Sequence, residues 1–367
     1  MRKRITLVLL LFAFLLPVHC AAGDLLRVGV AGLTHDHVHA VLRRHQQGGL
    51  EIIGIAEPNR DLAEKFSKRY GYSMDLVHDT LDKMLSTVKP QVISDYGSTF
   101  GHLKTVEAAA SRGIHVMVEK PLAVSVEHAR KMEALAKRHS IHLLTNYETT
   151  WYASHHAARR IVNAGSLGGI RKIVVHDGHQ GPAEIGCSEE FLEWLTDPKL
   201  NGGGALMDFG CYGANLSTWL MKGERPTAVT AVTQQIKPDR YPHVEDEATI
   251  VLTYPKTQAI LQASWNWNYN RKDIEVYCKE GYVHCHNESN MTVMESGTSQ
   301  AKNVTPTRLK PGMADPYKYF AAIIHGDIEI KPTDLSALEN NLIVVEILEA
   351  AKRSAEEGKT IRLGKSP

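Results

Sequence analysis

The sequence predicts an α/β protein of two domains, a parallel-sheet domain followed by an α+β domain with a large, mostly antiparallel open sheet. The chain has 367 residues, which suits about two domains of ordinary size. Short, uniformly apolar strand patterns alternate with helical patterns up to residue 147, and such strands are buried on both faces of a parallel sheet. Beyond residue 151 the strand patterns alternate polar and apolar residues, which is typical of an antiparallel sheet with one solvated face.

The first 23 residues predict a secretory signal peptide. A basic start at residues 2–4 precedes an apolar run at 7–18 and small residues at 21–23. A lipid anchor at Cys20 is the alternative. We therefore expect an exported bacterial protein in the periplasm or on the outer surface. No later apolar run reaches the length of a membrane span, about 18 residues.

Residues 24–147 predict the first domain. Apolar runs predict strands at 25–31, 50–56, 92–94, 114–118 and 141–144. Helical spacing of apolar residues predicts helices at 37–47, 62–70, 103–110 and 126–139. This strand–helix alternation predicts a parallel sheet covered on both faces.

Residues 148–334 predict the second domain. After a helix at 155–164, alternating patterns predict strands at 170–176, 227–234, 247–253, 258–267 and 272–277. The open face of this sheet is a candidate surface for a homo-oligomer. A closing helix is predicted over residues 335–357, and we expect it to pack back on the first domain.

The charge balance and the cysteine content exclude two classes of protein. Lys and Arg number 42 against 41 Asp and Glu, a formal net charge of +1, so the basic excess of a nucleic-acid-binding protein is missing. Five cysteines in so long a chain do not form the framework of a disulfide-stabilised fold. A small-molecule ligand remains the expected partner.

The ends of the first two strands predict a dinucleotide site of the Rossmann type. Gly32 ends the first strand and Glu57 ends the second, 25 residues further on. In such sites a helix N-terminus faces the pyrophosphate and the acid binds the ribose hydroxyls. An acid would repel a 2′-phosphate, so we expect NAD, and Arg60 keeps NADP as the less favoured alternative. The expected cofactor contacts here are Gly32, Leu33, Thr34, His35 and Glu57.

The loop after the first strand departs from the usual glycine pattern. Thr34 and His37 stand where the second and third glycines of such loops lie. One alternative is a plain strand-to-helix turn. Another is a metal site, since His35, His37 and His39 follow a strand at the spacing of ligands in a hydrolase barrel. Later strand ends carry no matching ligands and the second half is not a βα repeat, so we expect no metal.

A lysine follows the strand at 114–118. Glu119, Lys120 and Pro121 place this lysine at the carboxyl end of the sheet, where open α/β sheets bind ligands. Pro121 holds Lys120 in an extended conformation. A lysine between a cofactor and a substrate can exchange protons with the substrate. The alternative is a surface lysine before a turn.

With these residues the chain resembles the glucose–fructose oxidoreductase, inositol dehydrogenase and rhizopine-catabolism family (Gfo/Idh/MocA). The resemblance covers nearly the whole chain after residue 23. It is carried by Glu119-Lys120-Pro121 and by the segments 94–102, 146–147, 165–168, 202–212 and 346–358.

The resemblance implies a nucleotide-binding Rossmann domain, a C-terminal sheet domain and an active site between them. It implies that Lys120, Asp208 and Tyr212 surround the reacting hydroxyl. Asp208 and Tyr212 are four residues apart, so on a helix they share a face. Histidine is common in the family where this chain has Tyr212. The further expected contacts are Gly97, Ser98, His102, Glu119, Lys120 and Asn146 for the cofactor, and Trp151 and Tyr152 together with the three catalytic residues for the substrate.

The expected reaction is hydride transfer between NAD and a sugar or polyol hydroxyl. Tyr212, or Lys120 acting through it, takes the hydroxyl proton, and Asp208 orients the substrate. Free nicotinamide nucleotides are scarce outside the cytoplasm, so an exported enzyme is expected to hold its cofactor tightly. Two alternatives stay open. One is glycoside cleavage by transient oxidation at C3 and elimination, and the other is a non-catalytic sugar- or nucleotide-binding protein.

Overall fold

The computed structural model describes residues 25–364, so the predicted signal peptide and Cys20 lie outside the described residues. The strands of the first sheet are β1 (Arg27–Ala31), β2 (Glu51–Ala56), β3 (Val77–His78), β4 (Val92–Asp95), β5 (His115–Glu119) and β6 (Leu143–Asn146). They are parallel and lie in the order β3–β2–β1–β4–β5–β6. The direction of the strand order changes between β1 and β4, where such sheets open a crevice for ligands.

Helices cover both faces of this sheet. They are α1 (Val38–Gln46), α2 (Arg60–Tyr70), α3 (Leu81–Thr87), α4 (His102–Ala110) and α5 (Val126–His139). All four residues of β4, and all but the first of β1, are buried, because helices pack on both sides. Local sequence fixes the helix starts: the side chains of Asn59 and Ser125 accept the N–H groups of Leu62 and His128. The prediction of a doubly covered parallel sheet is confirmed.

The second sheet has nine strands. They are β7 (Ile170–Gly178), β8 (Ala228–Gln234), β9 (Glu247–Thr253), β10 (Gln258–Ser264), β11 (Arg271–Cys278), β12 (Gly281–Cys285), β13 (Met291–Glu295), β14 (Lys302–Val304) and β15 (Ile361–Arg362). Their order is β14–β13–β12–β11–β7–β10–β9–β8–β15, and only the β7–β10 pair is parallel among these strands. Buried residues alternate with half-buried ones along β9. The prediction of a mostly antiparallel sheet with one open face is therefore confirmed.

Six further helices complete the described chain. They are α6 (Ala153–Ala164), α7 (Glu189–Leu195), α8 (Ala205–Asp208), α9 (Gly210–Leu220), α10 (Pro316–Ile324) and α11 (Leu338–Glu357). Helix α9 is buried along its whole length against the inner face of the second sheet. Helix α10 follows β14 in sequence, but its residues Tyr317 and Phe320 join the core of the first domain. Within residues 25–364, no helix combines the length and the apolar character that crossing a bilayer requires.

The closing helix begins three residues later than the sequence predicts, at Leu338 rather than residue 335. The carbonyl oxygen of Leu335 accepts the side-chain amides of Asn215 (2.8 Å) and Asn341 (3.0 Å), which hold this residue outside the helix. Once formed, α11 contacts both domains. Leu342 packs in a core of the first domain, and Ile347 packs in the core of the second.

The packing of α11 makes a stability prediction. Ile347 is fully buried, so Ile347→Ala should lower the free energy of unfolding by about 2–5 kcal/mol, through lost burial and the cavity that remains. Ile236 is 52% exposed, so the matched change Ile236→Ala should cost less than about 0.5 kcal/mol. Urea denaturation followed by circular dichroism measures both. Equal losses for the two variants would contradict the placement of α11 in the core.

Candidate active site

A cavity of about 990 Å³ lies between the two domains. Its wall combines the loop after β1, the residue after β5, the start of α9, the end of β7 and the start of β11. The cavity-lining residues on which the site depends are His35, His37, Lys120, Glu148, Tyr152, His179, Asp208, Phe209, Tyr212, Arg271 and Lys272. This volume is at the upper end of the range for small-molecule sites.

Lys120 and Asp208 form a buried ion pair at the base of the cavity. The Lys120 Nζ donates to Asp208 Oδ1 and, at 3.2 Å, to the Asp208 carbonyl oxygen. The Trp265 Nε1–H donates to Asp208 Oδ2 at 3.0 Å, so both carboxylate oxygens are bound. Burial disfavours the charged form of each group, but the opposite charge and the hydrogen bond of its partner together have the larger effect. The pKa of Lys120 is therefore raised and the pKa of Asp208 is lowered. Both groups are therefore charged at neutral pH.

Tyr212 lies beside this pair, one turn further along the chain. Its ring centroid is 5.3 Å from the Lys120 Nζ and 5.1 Å from the Lys272 Nζ. Burial raises the pKa of the Tyr212 phenol well above its ordinary value, so the hydroxyl is neutral and can donate a proton. Tyr212 is one of the residues that line the cavity. The three residues expected to be catalytic thus lie together.

The loops after β1 and β4 meet at the crevice of the first sheet. Gly32 has a φ of +76°, and a Cβ on it would lie 2.9 Å from the Gly97 nitrogen, so the two loops can touch only because residue 32 is a glycine. In the described chain, the N–H groups of Thr34, Asp36 and Ser98 donate to no other residue. Free N–H groups at the end of a parallel strand can bind an anion.

Glu57 turns toward the loop rather than toward solvent. It is 3% exposed, and its carboxylate accepts the N–H groups of Leu33 and Asn59, each at 2.8 Å. Burial raises the pKa of the Glu57 carboxyl, although the two hydrogen bonds act to lower it. The acid expected to bind the ribose is therefore at the crevice and holds the shape of the loop from there. Neither Gly32 nor Glu57 is on the wall of the 990 Å³ cavity.

His35 is buried under the second domain. Its ring centroid is 4.5 Å from that of Phe191 in α7, and the Asp36 carboxylate accepts the Ser188 N–H at 3.0 Å. The His35 Nδ1 accepts the His37 N–H at 3.1 Å, so the neutral ring carries its proton on Nε2. In the described part of the chain this Nε2 has no partner. The site therefore contains a buried donor that a ligand oxygen would satisfy.

One group in the crevice has the composition of a metal site. Ligand atoms of His35, His37 and Glu119 lie within 4.8 Å of one another. Hydrogen bonds already involve two of the imidazole nitrogens. The His37 Nδ1 is 2.9 Å from Glu119 Oε2, and the His35 Nδ1 accepts the main-chain N–H of His37. These contacts use the Nδ1 atom of each imidazole within the protein, while the His35 Nε2 has no partner among the described residues.

Three further expected cofactor contacts, Glu119, Asn146 and His102, are not on the wall of the cavity. The Asn146 Nδ2 donates to Glu119 Oε1 at 2.8 Å, and the Trp151 Nε1 donates to Asn146 Oδ1 at 3.2 Å. The His102 Nδ1 is 3.1 Å from the Leu122 carbonyl oxygen. Of the two expected substrate contacts, Tyr152 lines the cavity and Trp151 lines a separate pocket.

The structure adds three cavity residues that the sequence did not single out. His179 follows β7, and burial lowers the pKa of its imidazole to about 4, so it is neutral at pH 7. The Lys272 ammonium pairs with the Glu148 carboxylate, which also accepts the Tyr152 hydroxyl at 2.6 Å. These residues come from different strands and loops, and no local motif links them. A polar residue at the end of a predicted strand was the one available signal for His179.

Two family models match this chain. Residues 26–147 match "Oxidoreductase family, NAD-binding Rossmann fold", and residues 155–284 match the C-terminal domain of the same family. Together they cover well over half of the sequence. The chain belongs to the Gfo/Idh/MocA family. It is therefore an oxidoreductase with an NAD-binding Rossmann domain, and the resemblance inferred from its motifs is confirmed.

Individual relatives are distant. The human trans-1,2-dihydrobenzene-1,2-diol dehydrogenase is 25% identical over 240 residues, a match that spans 63% of this chain and 65% of that enzyme. An uncharacterized oxidoreductase of Rhizobium meliloti is 27% identical over 352 residues, covering 91% of this chain and 98% of that protein. The chain thus matches just under two thirds of the length of the diol dehydrogenase.

Solved structures share the fold. An aldose–aldose oxidoreductase from Caulobacter crescentus, crystallised with glycerol, has a TM-score of 0.77 at 23% identity, covering 93% of this chain and 100% of that one. An inositol dehydrogenase homolog from Azotobacter vinelandii, crystallised with NAD⁺, has a TM-score of 0.79 at 19% identity, covering 93% and 98%. At these identities the likeness establishes the architecture of both domains.

The buried ion pair makes a second stability prediction. Asp208→Asn leaves the Lys120 ammonium buried without its counter-charge, so the free energy of unfolding at pH 7 should fall by about 3–5 kcal/mol. Because the pKa of Asp208 is lowered in the folded state, its carboxylate stabilises the fold above its unfolded-state pKa, about 4. That contribution is lost as the pH falls through the lower, folded-state pKa.

The loss caused by Asp208→Asn should therefore be constant near neutrality and shrink below about pH 4. Glu127→Gln removes the exposed partner of Lys131 and should leave the free energy of unfolding unchanged within error. Urea titrations at several pH values measure both. A loss for Asp208→Asn that is no larger than the loss for Glu127→Gln would contradict the buried pair.

Proposed function

We propose that the protein is an exported oxidoreductase that transfers a hydride between tightly bound NAD and a hydroxyl group of a sugar or polyol. The observation that carries the proposal is the group formed by Lys120, Asp208 and Tyr212 in the cavity between the NAD-binding domain and the sheet domain. The names of the matched proteins agree with this substrate class, since they refer to a diol, to aldoses and to inositol.

The residues of the crevice fit NAD. The free N–H groups of Thr34, Asp36 and Ser98 suit the pyrophosphate, and Glu57 suits the ribose hydroxyls of a cofactor without a 2′-phosphate. The unpartnered His35 Nε2–H is a further donor for an oxygen-rich ligand. When bound, the nicotinamide ring supplies the carbon that accepts or releases the hydride.

The protein's own part is to bind and protonate the reacting oxygen. Lys120 is cationic and Tyr212 is neutral, so both donate to an oxygen in the cavity. In the reducing direction the Tyr212 hydroxyl gives its proton to a carbonyl oxygen, and in the oxidising direction the phenolate takes the proton of the substrate hydroxyl. Asp208 keeps the Lys120 ammonium charged and fixes its position. Because its raised pKa keeps the Tyr212 hydroxyl protonated, this residue can give a proton to a carbonyl oxygen, as the reducing direction requires.

Export underlies the second part of the proposal. The signal peptide at residues 1–23 would carry the protein out of the cytoplasm. After export, either the signal peptide is cleaved or a lipid on Cys20 holds the protein at the membrane. A cofactor that dissociated there would not be replaced. We therefore propose that one sugar reduces the bound cofactor and a second sugar reoxidises it, so that no exchange of nucleotide is needed.

A second candidate reaction is glycoside cleavage through transient oxidation at C3. Hydride transfer from C3 to NAD acidifies the neighbouring C–H bond, a base removes that proton, and elimination breaks the glycosidic bond and releases the aglycone. Water would then add to the resulting double bond, and the reduced cofactor would return the hydride to C3. His179 favours this candidate, because it is a neutral imidazole on the cavity wall near Asp208. The volume of about 990 Å³ also has room for a glycoside.

We also propose a homo-oligomer formed through the open face of the second sheet. Val232 and Tyr277 are 68% and 37% exposed, and both alternate along their strands with buried residues. Apolar side chains on an open sheet face are typical of a surface that a second subunit covers.

Lys120→Ala tests the proton-transfer role. Turnover should fall by about 10²–10⁴-fold, because the oxygen loses its cationic donor, while absorbance of the bound cofactor near the reduced-nicotinamide band should persist. Lys131→Ala, an exposed lysine on α5, is the matched control and should not change the rate. An unchanged rate for Lys120→Ala would falsify its catalytic role.

A panel of sugars added to the purified protein separates the candidate functions. Under the main proposal, the absorbance of the bound reduced cofactor should bleach with one sugar and return with another. Release of an aglycone without net absorbance change would instead support glycoside cleavage. A protein that retains no cofactor after mild purification and gives no turnover with added NAD would be a non-catalytic binder, and the proposal would be wrong.

A further inference from the structure

A second pocket, of about 180 Å³, lies outside the catalytic cavity and shares no lining residue with it. We call it the arginine pocket and define it by Thr150, His156, Arg159, Arg160, Trp219 and Asp334. It lies between α6 and α9, next to the segment that leads into α11. Its volume is well below the several hundred Å³ of a site for a cofactor or a sugar chain.

Arg159 is the central feature of this pocket. Its guanidinium stacks on the Trp219 ring, with the Cζ 4.5 Å from the ring centroid. No described residue forms a hydrogen bond or an ion pair with this guanidinium, although the side chain is partly buried. Stacking on the indole restricts the plane in which the five N–H donors of the guanidinium point. The pocket therefore presents a fixed, unmatched fork of donors.

Thr150 is an independent sign of a missing ligand. The residue is 6% exposed, lines the pocket, and its Oγ1 has no hydrogen-bond partner in the described part of the chain. A buried hydroxyl without a partner costs free energy that a ligand atom would recover. The neighbouring His156 Nε2 is 2.8 Å from the Thr150 carbonyl oxygen, and burial lowers the pKa of this imidazole. His156 therefore adds no charge to the pocket at neutral pH.

The charges in the pocket favour an anion. Arg159 and Arg160 contribute two positive charges, and Asp334 contributes one negative charge. The Asp334 Oδ2 accepts the Lys331 N–H at 2.8 Å, and no ion pair joins Asp334 to either arginine among residues 25–364. A net positive charge thus remains for a ligand.

We propose that the arginine pocket is a binding site for a small oxyanion, a carboxylate or a phosphate group. The Arg159 guanidinium donates to two of its oxygens, the geometry in which guanidinium recognises such groups. The Thr150 hydroxyl donates a further hydrogen bond to the anion. The pocket is separate from the Lys120 site, so this inference does not depend on the proposed reaction.

Isothermal titration calorimetry of the purified protein tests the site with two probes, inorganic phosphate and acetate, at constant ionic strength set with sodium chloride. We expect saturable binding of at least one probe, and the stronger probe tells whether the pocket takes phosphate or carboxylate. Arg159→Gln should weaken that binding at least about tenfold, because the bidentate contact is lost. Arg353→Gln, an exposed arginine paired with Glu357, is the matched control and should leave the affinity unchanged.

Thr150→Val keeps the shape of residue 150 and removes only the hydroxyl, so it should weaken binding several-fold. This variant decides the question if Arg159→Gln does not fold. The proposal is overturned if neither probe binds saturably up to about 50 mM. It is also overturned if binding persists unchanged in the folded Arg159 or Thr150 variant, or if chloride competes as well as either probe.

Discussion

The ion pair of Lys120 and Asp208 is the contact on which the site depends. Lys120 follows the last residue of β5 in the first domain, and Asp208 ends α8 in the second, so this buried contact joins the two domains at the cavity. Two charges that are both more than 90% buried are tolerated only because they are paired and each has further hydrogen bonds. Such a pair adds little net stability, but it allows one arrangement of the cavity floor.

The charges around Tyr212 follow from the same constraint. Lys120 is balanced by Asp208 and Lys272 by Glu148, so two ion pairs flank the phenol and no net positive field draws off its proton. Burial is then the largest influence on the pKa of Tyr212, which it raises, so the phenol stays neutral. The cavity therefore offers two ammonium groups and one hydroxyl as donors. This is the environment of an oxygen that gains negative charge, as a carbonyl oxygen does when it is reduced.

The sequence predicted what depends on local pattern and on order along the chain. Continuous apolar strands gave the parallel sheet, alternating strands gave the antiparallel one, and motif residues gave Lys120, Asp208 and Tyr212. It did not identify α10, and the residues of this helix do not by themselves show that it packs in the core of the first domain. Lys272 and Glu148 were missed for a related reason. They are 124 residues apart in sequence and meet on one wall of the cavity only in the folded chain.

The degenerate glycine loop and the proposal of a tightly held cofactor have one physical explanation. The side chains of Thr34 and His37 leave less room than glycines would for a phosphate to approach the backbone. A site made by the loop alone would therefore bind a dinucleotide weakly. This loop is covered from the second domain: Asp36 accepts the Ser188 N–H, and the His35 ring packs against Phe191. A dinucleotide lying along the loop would be enclosed by α7, and its release would require these contacts to break. Retention would then come from the cover that the second domain provides.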